Sequence, residues 1–189
     1  LADFGWTWDK TEALENEHWR VVRNFVKSVD MGNLYKAASM ECWFKNMSNL
    51  TDISCASVPE GTLNCKDMFG GTGIIEVPSS FTLPKSVQIA YSMFIGCASL
   101  TSVNFTLPNG LQNVQSMFNG CTSLTHVADS FRMPDSVSIA NSMFENTAIE
   151  SLPDGFTLST SIKQTGRMFY GCKNLTFLPD SFLLPEGLV

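Results

Sequence analysis

The dipeptide Met-Phe recurs at Met68-Phe69, Met93-Phe94, Met117-Phe118, Met143-Phe144 and Met168-Phe169, with Trp43-Phe44 one period upstream. Successive spacings are 25, 25, 24, 26 and 25 residues. Self-similarity at a period of this length restricts the chain to a repeat architecture. One such unit carries too little apolar surface to offset the entropy of ordering its backbone, so it folds only against its neighbours.

The same grammar surrounds every anchor. Two residues after the Phe stand Asn46, Gly71, Gly96, Gly120, Asn146 and Gly171. These residue types adopt positive φ most readily, as is needed just past the end of a helical turn, so the column is expected to be a C-cap. Met47, Thr72, Cys97, Cys121, Thr147 and Cys172 follow, and then an L-x-x-L step exemplified by Leu100/Val103 and Leu124/Val127. Phe81, Phe105, Phe131, Phe156 and Phe182 share a later column, with Ala56 in the first repeat. A Pro usually stands three residues after that Phe, as in Leu83-Pro84 and Met133-Pro134. Each unit is therefore expected to hold a short strand at L-x-x-L, a Pro-bearing corner, and a short helical or 3₁₀ segment ending at Met-Phe. Val87, Ala90, Met93 and Cys97 fall at intervals of three and four, which supports the helical segment. Val87 and Ile89 also alternate, which leaves a second short strand open. The fold class is an α/β repeat, a solenoid of about six turns of 24–26 residues.

Leu1 to Leu34 lies outside the pattern and divides the chain into a 1–34 helical cap and a 35–189 solenoid whose last repeat is incomplete. Asp9 and Glu12 have capping-box spacing. Lys10 to Ser28 contains neither Gly nor Pro, and Leu14, Val21, Val22, Phe25, Val26 and Val29 form one apolar stripe. This predicts an amphipathic helix covering the first turn, with Trp6, Trp8 and Trp19 as packing anchors. At the other end Val189 falls in mid-repeat without a polar cap. The chain is expected to continue beyond it or to be covered there, self-association through this uncapped repeat included.

The string Met93-Phe94-Ile95-Gly96-Cys97-Ala98-Ser99-Leu100-Thr101-Ser102-Val103 resembles the bacterial surface protein 26-residue repeat and the related BspA-like leucine-rich repeats. Met117 to Val127, MFNGCTSLTHV, and Met168 to Leu178, MFYGCKNLTFL, share the idiom. Thr72 and Thr147 depart from its Cys. The resemblance covers about Tyr35 to the end. It implies a leucine-rich-repeat-like solenoid on secreted or lipid-anchored bacterial proteins, associated with adhesion and protein binding. It carries no catalytic residues to transfer.

Formal charge of −6 and a pI near 4.8, without any basic cluster, exclude nucleic acid as a partner. No apolar run approaches the roughly 20 residues of a membrane-spanning helix. Cys97, Cys121 and Cys172 share an inward column, and Cys65 shares another with Ala90, Val114, Ala140 and Thr165. Side chains in such a ladder run parallel rather than facing, so free thiols are expected there, and Cys42 and Cys55 are the candidates for exposure. No spacing of Cys and His suggests zinc. His18 has no nucleophile near it in sequence, and His126 falls on the sheet surface. With no nucleophile elbow, paired carboxylates or cofactor motif, the chain is expected to be non-enzymatic, with no catalytic, cofactor or metal residues. The sequons at Asn46, Asn49, Asn104 and Asn174 are absorbed by the repeat pattern.

Outward strand positions vary in chemistry where inward ones do not, and these outward columns form the candidate ligand face. One column holds Thr51, Ile75, Thr101, Thr125, Glu150 and Thr176. The other holds Asp52, Glu76, Ser102, His126, Ser151 and Phe177. The expected function is a surface binding or adhesion module presenting this face to a host or matrix protein or to a glycan. The rival expectation is a spacer that holds another domain away from the cell.

Overall fold

In the computed structural model, which describes residues 23–31, 37–186 and 188, the repeats lie as coils paired side by side through parallel backbone ladders. At the L-x-x-L step three strands, β1 (Glu76–Val77), β2 (Ser102–Val103) and β3 (His126–Val127), pair in that order. Val77, Val103 and Val127 point inward and are buried.

The segment before and across Met-Phe is held together in a different way. The N–H groups of Met40, Cys42, Phe44 and Asn46 donate to Asn64, Lys66, Met68 and Gly70 carbonyls of the next coil at 2.7–3.0 Å. Between them, Trp43, Lys45 and Met47 donate within their own coil to Met40, Cys42 and Phe44 at 3.2–3.3 Å. The cross-coil pattern repeats from Cys65, Ala90, Val114 and Ala140. A helix needs every N–H for its own i−4 carbonyl. Here alternate N–H groups belong to the neighbour, so the expected helical or 3₁₀ segment is a run of β-turns.

No helix occurs among the described residues, and the α/β expectation is replaced by strands and turns. The sequence spacing misled because successive turns bury the same positions. Val87, Ala90, Met93 and Cys97 are all fully buried.

Each run contains two residues at positive φ, at the third position of turns closed by i→i−3 bonds, as type II turns require. The expected Gly/Asn column is one of them, with φ of 61, 68, 67, 75, 57 and 76° from Asn46 to Gly171. It caps no helix. The second column, four residues earlier, is Cys42, Asp67, Ser92, Ser116, Ser142 and Arg167 at 53–62°. Left-handed backbone costs such residues roughly 1–2 kcal/mol each, and the cross-coil bonds on either side hold them there.

Residues 1–22 and 32–36, which include most of the predicted capping helix and all three of its tryptophans, lie outside the described residues. The described end of that segment is not helical. Arg23 to Phe25 form a turn, and Ser28 pairs in parallel with Asp52. Phe25 leaves the expected apolar stripe and is 78% exposed, while Val26 and Val29 pack on the core.

Two aromatic columns run through the interior. Phe44, Phe69, Phe94, Phe118, Phe144 and Phe169 stack nearly parallel, with centroids 5.3, 5.4, 5.7, 5.6 and 5.8 Å apart. The Phe81 column meets them edge-on, as in Phe69–Phe81 at 5.9 Å and 72°. Both geometries suit the ring quadrupole and add about 0.5–1.5 kcal/mol per pair beyond burial.

Cys65, Cys97 and Cys121 are buried and all six cysteines are free. The Cys97 thiol donates to the Phe69 carbonyl at 3.1 Å, Cys121 to Phe94 at 3.1 Å, and Cys172 to Phe144 at 2.9 Å. Each thiol thus bonds the preceding coil. Burial pushes the Cys65 thiol up to about 12 and holds Cys121 well above its ordinary value, which disfavours the reactive thiolate. Cys55 is exposed and Cys42 half-buried.

Where Thr72 and Thr147 replace Cys, the hydroxyl bonds the Phe carbonyl of its own coil, at 2.8 and 2.9 Å. In both of these coils the following corner, Gly73 or Ala148, is one residue shorter than in the others.

Two measurements test this account. Gly96 has φ of +67° and open space where a Cβ would sit, so Gly96→Ala should cost about 1 kcal/mol. At Gly73 a Cβ would lie 2.2 Å from the Ser48 carbonyl oxygen, so Gly73→Ala should lose about 1–3 kcal/mol more in denaturant melts. A soluble thiol reagent should label Cys55 in the native protein, and Cys65, Cys97 and Cys121 only as it unfolds. Native-state labelling of Cys97 would show that the column is open to water.

Candidate functional site

The L-x-x-L step alternates inward and outward residues, so the two columns picked from the sequence fall on the outside of the coils. Eleven of the twelve residues are exposed: Thr51, Asp52, Ile75, Glu76, Thr101, Thr125, His126, Glu150, Ser151, Thr176 and Phe177. Ser102 is half-buried. Ile75 and Phe177 place 52% and 55% of their surface in water.

The backbone brings the central members together. Glu76 pairs with Ser102 and Ser102 with His126. The Thr101 N–H and hydroxyl both donate to the Ile75 carbonyl, at 2.8 and 3.0 Å. Thr125 repeats the arrangement on the Thr101 carbonyl at 3.1 and 3.5 Å. Threonine suits these positions, because its branched Cβ favours extended backbone while its hydroxyl finds the neighbouring coil's carbonyl.

The outer members are separate. Thr51 and Asp52 both donate N–H to the Lys27 carbonyl, and Asp52 pairs with Ser28. Thr176 donates to Glu150 at 3.4 Å. No backbone pairing joins Asp52 to Glu76 or His126 to Ser151 among the described residues. Both gaps open where the ladder enters a coil with the shortened corner, at Gly73 and at Ala148. The face is thus three segments rather than one sheet.

Its charge is negative, from Asp52, Glu76 and Glu150, with Lys27 at one end. The Asp52 carboxylate accepts the Ser54 N–H at 2.8 Å, and that bond holds its pKa below the ordinary aspartate range. Glu76 accepts the Asn104 amide at 2.7 Å. Nothing here activates a nucleophile, and His126 stands exposed among hydroxyls. Among the described residues no three His, Cys, Asp or Glu side chains converge as metal ligands.

One feature escaped the sequence reading, and one that it left open is decided by the structure. Lys27 and Ser28 extend the face by one coil, and the assignment of Lys10 to Ser28 to a helix hid them. A second parallel ladder, Ser39, Asn64, Ile89, Asn113, Ile139 and Gln164, runs without a break through successive coils. The alternation of Val87 and Ile89 was its signal.

Among known proteins, the profile of the BspA type leucine rich repeat region matches six copies over residues 44–176. Among solved structures, the chain is similar to a leucine rich cell surface protein from Faecalibacterium prausnitzii A2-165. Identity is 19% and the TM-score 0.42, covering 73% of this chain and 35% of that one. It is also similar to a leucine-rich repeat protein from Bacteroides ovatus ATCC 8483, at 18% identity and a TM-score of 0.36, over 73% and 51% of the two chains. This chain therefore spans less than two thirds of the length of either. No curated protein matches it. With six matched copies whose anchors are the stacked Phe column, the chain belongs to the BspA type leucine-rich repeat family.

Proposed function

We propose that this chain is a non-enzymatic binding module of a bacterial surface protein, a continuous solenoid whose Thr-rich acidic face takes a protein partner with a basic surface. The observation that carries the reading is the β1–β2–β3 trio. Exposed Glu76, Thr101, Thr125 and His126 sit there on paired backbone, so their positions are set before any partner arrives. A preorganised face of this kind loses little entropy on binding. Carboxylates at Asp52, Glu76 and Glu150 steer a basic partner toward it. Membership in the BspA type repeat family supports a non-catalytic surface role.

The test is an array of extracellular matrix proteins and glycans probed with the purified chain, followed by titration of any protein retained. Glu76→Lys and Asp52→Lys should each weaken binding to that protein by about tenfold, and added salt should weaken it further. Thr101→Ala should have a smaller effect.

The Asp52 pKa lies below its unperturbed value. Its charge is therefore present at neutral pH and is lost only as pH falls through the lowered pKa. Attraction at Asp52 should accordingly outlast that of an unperturbed aspartate as the medium is acidified. Binding that ignores all three substitutions would remove the assignment of this face. Retention of no protein in any arm would leave the spacer role in its place.

A further inference from the structure

Two Asn-Gly pairs occur in the sequence, Asn109-Gly110 and Asn119-Gly120. In such a pair the backbone nitrogen of the glycine can reach the carboxamide carbon of the asparagine, because no Cβ stands in the way. The fold treats the two pairs in opposite ways.

Asn119-Gly120 belongs to a turn run, and all four of its backbone groups are engaged. The Asn119 N–H donates to Ser116 at 3.1 Å, and its carbonyl accepts from Gly96 at 2.8 Å. The Gly120 N–H donates to the Glu145 carbonyl of the next coil at 2.9 Å, and the Gly120 carbonyl accepts from Thr122 at 2.9 Å. Asn119 is half-buried. The nitrogen that would attack is tied to a neighbouring coil.

Asn109-Gly110 occupies a Pro-bearing corner, with Asn109 exposed. Among the described residues no hydrogen bond reaches either member of the pair, from backbone or side chain. A single bond spans it, from the Leu111 N–H to the Pro108 carbonyl at 3.1 Å. Close packing on the preceding coil keeps glycine here, since a Cβ at Gly110 would lie 2.2 Å from the Lys85 carbonyl oxygen. The corner thus combines the most reactive neighbour with the least restraint on local opening.

We propose that Asn109 is a site of spontaneous deamidation, through which the chain gains a negative charge as it ages. The Gly110 nitrogen gives up its proton and bonds to Asn109 Cγ. The carboxamide C–N bond breaks, ammonia leaves with a proton, and a five-membered succinimide remains. Water then opens the ring at either carbonyl, which gives aspartate or isoaspartate. One water is consumed and one ammonia released, with no change of oxidation state.

The two products differ in what they do to the corner. Aspartate is the residue that the next coil already carries there: exposed Asp135, in a turn closed by the Val137 N–H on the Pro134 carbonyl at 3.0 Å. Isoaspartate routes the backbone through the former side chain and adds a methylene between Pro108 and Leu111. The bond that spans the pair then loses its geometry. Leu111 is fully buried and its carbonyl accepts the Ser136 hydroxyl at 2.7 Å, so the disturbance reaches the core and the next coil.

The experiment holds the purified chain in warm, mildly alkaline buffer and follows chymotryptic peptides by mass spectrometry. Cleavage after Phe118 separates the two asparagines. The Asn109 peptide should gain about one dalton, the difference between an amide and an acid, and split into two chromatographic forms. The Asn119 peptide should react at least about tenfold more slowly, because its nitrogen is freed only when the coils part. In denaturant the two rates should converge. Asn109→Gln should abolish the early mass gain, since attack there must close a six-membered ring. Asn109→Asp should melt with the parent, and the isoaspartate fraction, isolated chromatographically, should melt lower.

Equal rates at the two asparagines in the native chain overturn the proposal. So does a native Asn109 that stays intact while the denatured chain reacts, or an early mass gain that persists in Asn109→Gln. An isoaspartate fraction that melts with the parent overturns the role given to the turn.

Discussion

The structure depends on backbone N–H groups that alternate between two destinations. Along each turn run, one amide crosses to the next coil and the following one closes a turn within its own. Crossing bonds set the stacking distance, and turn-closing bonds set where the chain bends. Together they satisfy backbone polar groups that would otherwise be buried without partners at several kcal/mol of combined cost. The Phe column is the apolar consequence. Once alternate amides lock the coils in register, Phe69, Phe94 and Phe118 must lie one above another, and their rings stack at 5.4 and 5.7 Å.

The same alternation explains the backbone at positive φ. A turn that closes after three residues and presents its next N–H to a neighbour needs a left-handed residue at its third position. Gly or Asn meets that need at the downstream turn. Ser, Cys, Asp and Arg meet it upstream, where the crossing amides on both sides compensate the strain. Buried Ser92 and Ser116 show that a small side chain suffices in the crowded positions of that column.

Small changes in the repeat propagate to the surface. Thr72 and Thr147 turn their hydroxyls to their own Phe carbonyl where Cys97 and Cys121 reach the preceding coil, and each Thr is followed by a shortened corner. Pairing on the acidic face lapses at the entry to both coils, while the ladder on the opposite run continues through them. One chain thus carries two kinds of surface. One is acidic, segmented and rich in threonine; the other is unbroken and carries amides at Gln88, Gln112 and Gln115.

Much of this was legible in the residues themselves. The Met-Phe period dictates stacked coils, and the inward columns follow because they are apolar or small throughout, Thr72 and Thr147 included. The Gly/Asn column announces positive φ, since those two residue types lose least by adopting it. The outward columns of the L-x-x-L step were legible for the same reason, variation where the interior is constant.

What the sequence could not specify is where each amide donates. An interval of three and four, as at Val87, Ala90, Met93 and Cys97, is shared by a helix and by a run of turns. Only the presence of a neighbouring coil, with carbonyls at the right height, makes the turns prevail. That tertiary decision also places Ser92 and its column at positive φ, moves Ser28 from a predicted helix into a paired strand, and chooses the ladder that runs unbroken. Hydrogen bonds between residues some 25 apart leave no local trace. They exist only once the coils have met.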